Sequence, residues 1–290
     1  MAGAGIRDIK LKIQSVNSTR QITKAMELVS TAKLKRAKDR VDITRPYFET
    51  VMSTVQDIIR NEKSLKHDYL NVRDVKKTLY IVVSADRGLC GGYNINVLKR
   101  TLADIDSHDK ATCITIGKKA RDFFKKNEVD SLGEYLYISE KPTFADAQDI
   151  ARKALKLYTD EKVDEIKLVY TRLVSTIAQE PHMLKLLPVE MPEEEIKESK
   201  EDEMTEFVSY EPSAEAVLSY VIPKYMESTI FGALVESSAS EQAARRMAME
   251  NASDNADDMI ATLSLTYNQA RQAAITQEIS EIVSGAEALK

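Results

Sequence analysis

Apolar and small residues recur at Ile6, Ile9, Ile13 and Val16, and again at Ile22, Met26, Val29, Ala37 and Val41. Steps of three and four put such residues on one face of an α-helix. No Gly or Pro falls between Ile6 and Arg45. The polar stretch Asn17–Gln21 separates the two series and predicts a register shift, as a stutter makes in a coiled coil. The pattern continues through Tyr47, Val51, Val55 and Ile58, past Pro46, which either kinks the helix or sits in its next turn. At ~1.5 Å per residue, about 50 residues make roughly 75 Å of helix, too long to fold back inside a globule.

The other end mirrors this. Pro223 is the last Pro, and Gly232 is the last Gly before Gly285. Ala256, Ile260, Leu263, Tyr267, Ala270 and Ala274 alternate steps of four and three, which is a heptad seam rich in Ala. Neither long helix can bury its stripe alone, and amphipathic helices gain most of their stability from packing. The simplest partner for each is the other. A compact middle domain with both helices leaving the same side favours antiparallel pairing.

Between the ends the period changes. Thr78–Ser84, Ala111–Ile116, Glu134–Ile138 and Glu165–Ser175 read as strands, and Asn94–Ile105, Lys118–Asn127 and Thr143–Thr159 as helices. Strands alternating with helices predict a mostly parallel sheet. Met183–Val189 and Glu206–Tyr210 are candidate edge strands, and the acidic stretch Glu190–Glu206 reads as a solvated loop or a short exposed helix. The fold class is therefore α/β: a long antiparallel two-helix coiled coil plus a central Rossmann-like domain. Its parts are residues 1–60, 74–212 and 213–290.

Composition adds that this is a soluble chain with much exposed helix surface: 43% of the 290 residues are hydrophobic and 30% charged. The net charge of −5 excludes little, but its distribution is uneven. Arg7 to Arg45 carries eleven Lys or Arg against four acids, and Glu190 to Glu206 carries nine acids and two Lys. The basic helix suggests an acidic partner; the alternative is a solvated face. The two cysteines, Cys90 and Cys113, fit neither a metal spacing nor a disulfide framework and point to a reducing, cytosolic setting. The N-terminal residues are charged throughout, with no signal-peptide core, and no stretch reaches ~18 apolar residues.

The richest local feature is Ser84–Asn94, SADRGLCGGYN, between a strand and a helix, where phosphate loops sit in α/β folds. Gly88, Gly91 and Gly92 do not make the dinucleotide fingerprint, and no Lys-Ser/Thr follows. A tight connection or a contact loop is the better reading. Cys90 beside Arg87 is either a reactive thiol or a small residue packed in the turn, and no His is paired with it locally. His67, His108 and His182 have no neighbours at ligand spacing, and Asp86 and Asp146 have no companion acid. No catalytic constellation emerges. The basic helix lacks interleaved aromatics for nucleic-acid stacking. Two other classes stay in view: a nucleotide-binding enzyme with a coiled-coil appendage, and a nucleic-acid-binding scaffold.

Four separated blocks resemble the gamma subunit of bacterial F-type ATP synthase: Ile13–Arg36, Ser84–Asn94, Ser238–Met249 and Tyr267–Gly285. The resemblance implies a central rotor shaft without catalytic residues or cofactors of its own. It would turn inside a hexamer of alpha and beta subunits, one copy per complex, with the epsilon subunit and the c ring at its α/β end. The shaft would couple proton flow through the ring to ATP synthesis on beta, and regulate ATPase activity, at the cytoplasmic face of the plasma membrane; ion selectivity itself lies on other subunits. The implied contacts with alpha and beta are Lys24, Met26, Arg87, Cys90, Arg271, Gln272, Thr276 and Glu278. Ile279, Ile282 and Val283 would turn in an apolar bearing. Arg246 departs from the family pattern, standing where an apolar residue is expected. Both cysteines lie inside the α/β domain, so the redox switch of photosynthetic relatives is not expected.

Overall fold

The computed structural model describes residues 2–61, 67–71, 73–106, 110–189, 210–211 and 213–288. The expected acidic loop at Glu190–Glu206 lies outside these residues, as does the candidate edge strand at Glu206–Tyr210 except for its last residue. In chain order the elements are α1 (Ala2–Asn61), β1 (Thr78–Val83), α2 (Tyr93–Ile105), β2 (Ala111–Ile116), α3 (Lys118–Lys126), β3 (Asp130–Tyr135), α4 (Phe144–Thr159), β4 (Glu165–Leu173), β5 (Gln179–Leu187) and α5 (Ala214–Ala288). They form two compact units, the described residues of 1–31 with 245–290, and those of 32–244. These units cut through both long helices, whereas the boundaries read from sequence follow element ends.

In the smaller unit α1 and α5 pair antiparallel. Arg20 meets Asp257 at 2.6 Å, and Thr23 meets Ser253 at 2.8 Å. The inward positions of α1 are Ile6, Ile9, Ile13, Val16, Arg20, Thr23, Glu27 and Ser30, alternating steps of three and four throughout. The expected stutter is absent. Ile22 and Val29, read as seam residues, are 61% and 54% exposed. The seam keeps its register because polar side chains occupy it and find partners there. On α5 the expected seam is the buried one: Ala256 is buried, and Ile260, Leu263, Tyr267, Ala270 and Ala274 are half-buried.

In the larger unit a five-stranded sheet has the order β3-β2-β1-β4-β5, parallel except for β5, which runs antiparallel to β4. Strand β1 is buried on both faces, which explains its unbroken apolar run. Leu79, Ile81 and Val83 face a core shared with α4, with Val55 and Ile58 of α1 and with Leu218–Leu234 of α5. Tyr80 and Val82 face the opposite layer, α2 and α3, through Val97, Leu98, Ala120 and Phe124. Each fully buried aliphatic side chain contributes about 1.5–3 kcal/mol. Pro46 and Pro223 both lie within helices. Helix α4 begins with a capping box between Thr143 and Asp146, which gives Asp146 a structural role.

A half-buried ion cluster ties α2 to the sheet. Lys167 Nζ donates to Asp104 Oδ2 at 2.8 Å, Glu165 lies 3.6 Å from Lys167 and 3.3 Å from Lys185, and Tyr80 Oη donates to Asp104 at 2.7 Å. Two of the strands differ from expectation. Strand β3 runs Asp130–Tyr135 rather than Glu134–Ile138, and β5 runs Gln179–Leu187 rather than Met183–Val189.

Candidate functional site

In open α/β sheets a ligand crevice forms at the carboxyl ends of the strands where strand order reverses. Here that point lies between β1 and β4. Helix α5 fills it. Thr171 N–H donates to Ser237 Oγ at 3.2 Å, Ser240 Oγ donates to the Thr171 carbonyl at 3.0 Å, and Leu173 N–H donates to Glu236 Oε1 at 3.1 Å. On the β1 side, Ala244 packs against Ala85, Cys90 and Tyr93. The small side chains of Ser237–Ser240 and of Ala243 and Ala244 are what let a helix lie this close to strand ends.

The glycine loop after β1 is held shut by its own side chains. Asn94 Oδ1 accepts from Ala85 N–H at 2.9 Å, and its Nδ2 donates to the Cys90 sulfur at 3.1 Å. Asp86 accepts from Lys118 N–H at 3.0 Å and from Ser139 Oγ at 2.9 Å, tying together the loops after three strands. Ser84 Oγ accepts from Ala120 N–H at 2.8 Å. Tyr93 N–H donates to the Cys90 carbonyl and Asn96 N–H to the Gly92 carbonyl, so those amides face their own chain rather than an anion. Cys90 is buried, 1% exposed, while Arg87 and Leu89 on the same loop are exposed. Leu89 and Gly91 both have positive φ, 60° and 56°, which turns the Cys90 side chain inward.

Lys24 is exposed on α1, with Nζ 2.9 and 3.1 Å from the Glu27 carboxylate oxygens. The hydrogen bond and charge of Glu27 raise its pKa, with smaller contributions from Glu250 and Asp254 on α5. Met26 is half-buried; the exposed Ile22 and Val29 flank it on the outer face, and exposed Leu28 lies one turn beyond Lys24. Sequence periodicity missed this outer apolar face because it assigned Ile22 and Val29 to the seam. Their bulk, set against the polar seam residues Thr23 and Ser30, was the available signal.

Near the end of α5, Arg271, Gln272, Thr276 and Glu278 are all exposed, as are Ile275, Ile279, Ile282 and Val283. At ~100° per residue these eight side chains fall within an arc of about 160°, beside the seam and not on it. Polar groups and large apolar groups thus share one open surface. The surface of Lys24 and the surface of Arg271 belong to the smaller unit, and the glycine loop to the larger one. Arg246, the departure from the expected pattern, is half-buried and closes an i,i+4 ion pair with Glu250 at 2.9 Å.

His182 is half-buried against Tyr170, and burial lowers its pKa, with Arg172 adding to the effect. His67 pairs with Ser219 at 2.8 Å. His108 lies outside the described residues. Among the described residues no helix is long and apolar enough to cross a membrane, and no group of His, Cys, Asp or Glu is arranged to hold a metal.

Long paired helices with open faces, and an α/β sheet whose crevice one of those helices fills, define the class of this chain. The chain belongs to the ATP synthase gamma family: the family model described as ATP synthase matches residues 5–289. It is 56% identical to the ATP synthase gamma chain of Alkaliphilus metalliredigens, over 99% of this chain and all of that one. It is 44% identical to the sodium ion specific ATP synthase gamma chain of Acetobacterium woodii, over 98% of each chain. Among solved structures it resembles a chain of the central stalk and c-ring of Tetrahymena thermophila mitochondrial ATP synthase. There the TM-score is 0.61 at 27% identity, covering 80% of this chain and 99% of that one. A chain of the Euglena gracilis mitochondrial rotor, with a TM-score of 0.67 at 23% identity, covers 94% of this chain and 99% of its own, and shares the fold.

Proposed function

We propose that this chain is the central shaft of a membrane-bound ATP synthase. It turns inside a ring of three alpha and three beta subunits, one copy per complex, and couples ion flow through the c ring to ATP synthesis on beta. The chain is itself non-catalytic, and it works at the cytoplasmic face of the membrane as a peripheral component. Its α/β part meets the epsilon subunit and the c ring. The coupling ion, proton or sodium, is selected on other subunits.

The observation that carries this reading is the antiparallel pairing of α1 with α5, followed on α5 by an open arc of mixed polar and apolar residues. Two paired helices give a stiffness that one lacks. In this reading Arg271, Gln272, Thr276 and Glu278 meet the beta loop that grips the shaft, and Ile279, Ile282 and Val283 turn in an apolar bearing. Lys24 and Met26 meet the moving C-terminal part of beta. Arg87 meets its acidic lever, and buried Cys90 holds the shape of the loop that presents Arg87.

Exposed ion pairs contribute roughly 0–1 kcal/mol each, so such contacts can form and release on every turn. An asymmetric shaft in a threefold ring touches each beta subunit differently, and differential contact shifts each site to a different state. The test is co-expression with alpha and beta subunits. Co-purification with both, and loss of ATP turnover when a disulfide joins a cysteine at Arg87 to the beta lever, are expected. A chain that purifies alone and hydrolyses ATP would return the reading to a nucleotide-binding enzyme.

A further inference from the structure

A cleft of about 1170 Å³ lies within the larger unit, bounded by α1 at Val41–Met52, by the far ends of β4 and β5, and by α5 at Ser228–Glu236. Small-molecule sites commonly measure ~300–1,000 Å³ and combine apolar walls with a few convergent polar groups. This cleft has that make-up. Its walls include Phe48, Met52, Phe144, Tyr170, Leu184 and Phe231, and the rings of Phe144 and Phe231 meet edge to face with centroids 5.5 Å apart. Its wall also contains Gly232, where an added Cβ would meet no atom within 4 Å. The helix therefore leaves open space at that point.

Two arginines and two acids line the cleft. Arg45 and Arg172 both line the cleft and are exposed, and among the described residues neither guanidinium closes an ion pair. Two acids line it as well. Glu180 lies opposite Arg172 across the β4–β5 ladder. Glu236 is half-buried, already accepts the Leu173 N–H, and is pushed upward in pKa by burial against the opposing pull of Arg172 and Arg45. His182 is held toward its neutral form by burial. The cleft thus offers an aromatic interior and two arginine forks that close no ion pair among the described residues.

We propose that this cleft binds an amphipathic anion, a medium-chain fatty carboxylate, with its chain against Phe48, Phe144 and Phe231 and its head group on Arg45 and Arg172. The planar guanidinium matches a carboxylate through two parallel hydrogen bonds. An apolar chain in the cleft removes aromatic and aliphatic surface from water. The proposal goes beyond the shaft reading and does not rest on it.

The test uses the full chain, with anilinonaphthalene sulfonate as a fluorescent reporter and dodecanoate as the competitor. Dodecanoate is expected to displace the reporter saturably at one site per chain. The double variant R45Q/R172Q is expected to weaken dodecanoate by about tenfold or more, the scale of a lost charge-assisted pair. G232L puts a side chain into the open space on a helix that favours Leu over Gly, so it is expected to abolish binding without lowering the unfolding midpoint. No displacement by dodecanoate, or binding left unchanged by either variant in a folded chain, overturns the proposal.

Discussion

Thr23 Oγ1 and Ser253 Oγ lie 2.8 Å apart inside the seam between α1 and α5, both nearly excluded from solvent. Each hydroxyl also reaches a carbonyl of its own helix, Thr23 to Arg20 at 3.0 Å and Ser253 to Met249 at 2.9 Å. Two protons serve three acceptors. One proton crosses the seam and the other stays on its own helix. A polar pair at a core position favours one register, because a slip would bury each hydroxyl against apolar groups.

A double-mutant cycle measures that pair. T23V or S253V alone is expected to destabilise by about 1 kcal/mol, because each leaves a buried hydroxyl with one fewer partner. The double variant is expected to recover most of the loss, since both hydroxyls are gone. Urea unfolding followed by circular dichroism reads all four chains, and strictly additive losses would remove the cross-seam bond from the account.

The glycine at the end of β2 is expected to be irreplaceable. Gly117 has φ +88°, and an added Cβ would lie 2.2 Å from the Ser84 carbonyl oxygen. Strained backbone and overpacking each cost about 1–3 kcal/mol, so G117A is expected to destabilise by roughly 3 kcal/mol or more. Gly88 has the Lys119 Cε as its nearest obstacle, at 4.0 Å, and G88A is expected to stay within about 0.5 kcal/mol of the parent. Thermal unfolding of the two variants gives the comparison.

Alkaline pH is expected to unfold the larger unit. Burial pushes the Cys113 thiol up to about 12 from an ordinary 9.0, and the Tyr225 phenol up to about 12 from 10.0. Tyr80 and Tyr170 also shift upward, first through burial and then through nearby carboxylates. Unfolded, these groups lose protons at their ordinary values; folded, they hold them. The stability they contribute is full below about pH 9 and falls as pH rises toward 12. Read ring by ring by NMR, ionisation of Tyr80, Tyr170 and Tyr225 is expected to come together with loss of helix signal, and ionisation of these three in a still-folded chain would contradict the burial assigned to them.

Much of this architecture is legible in the sequence, and the exceptions have physical causes. Ala256 to Ala274 reads as a seam because small and apolar residues sit at every inward position there. The same reading fails on α1, where Thr23 and Ser30 go inward and Ile22 and Val29 go outward. Periodicity measures apolar residues, and it cannot see a polar residue such as Thr23 that has found a partner in Ser253, or one as small as Ser30 that fits the seam by size. Residues 218–244 of α5 carry no stripe because almost every side is buried, against the sheet and α1. Strand β5 hides its start behind Glu180, Pro181 and His182, which an edge strand tolerates. The proposed contact residues are different again. Arg271 and Glu278 are ordinary exposed helix residues by any local measure, and only the motif around them singles them out.

Removing those exposed side chains is expected to separate function from stability. R271A, combined with Q272A and E278A, is expected to leave unfolding within about 0.5 kcal/mol per site, because none of the three is buried. Coupled ATP synthesis in membrane vesicles carrying the triple variant is expected to fall severalfold. Synthesis at the parental rate would deny these residues a role in gripping the shaft.

The central claim is that this chain turns. A bead attached to a cysteine at exposed Lys126, at the end of α3 and outside the proposed beta contacts, on a complex fixed to glass through its beta subunits, would report that motion directly. The account predicts one-way stepwise rotation that starts with ATP and stops when the chain is crosslinked to beta. ATP hydrolysis beneath a stationary bead, or turnover undiminished by the crosslink, would contradict it.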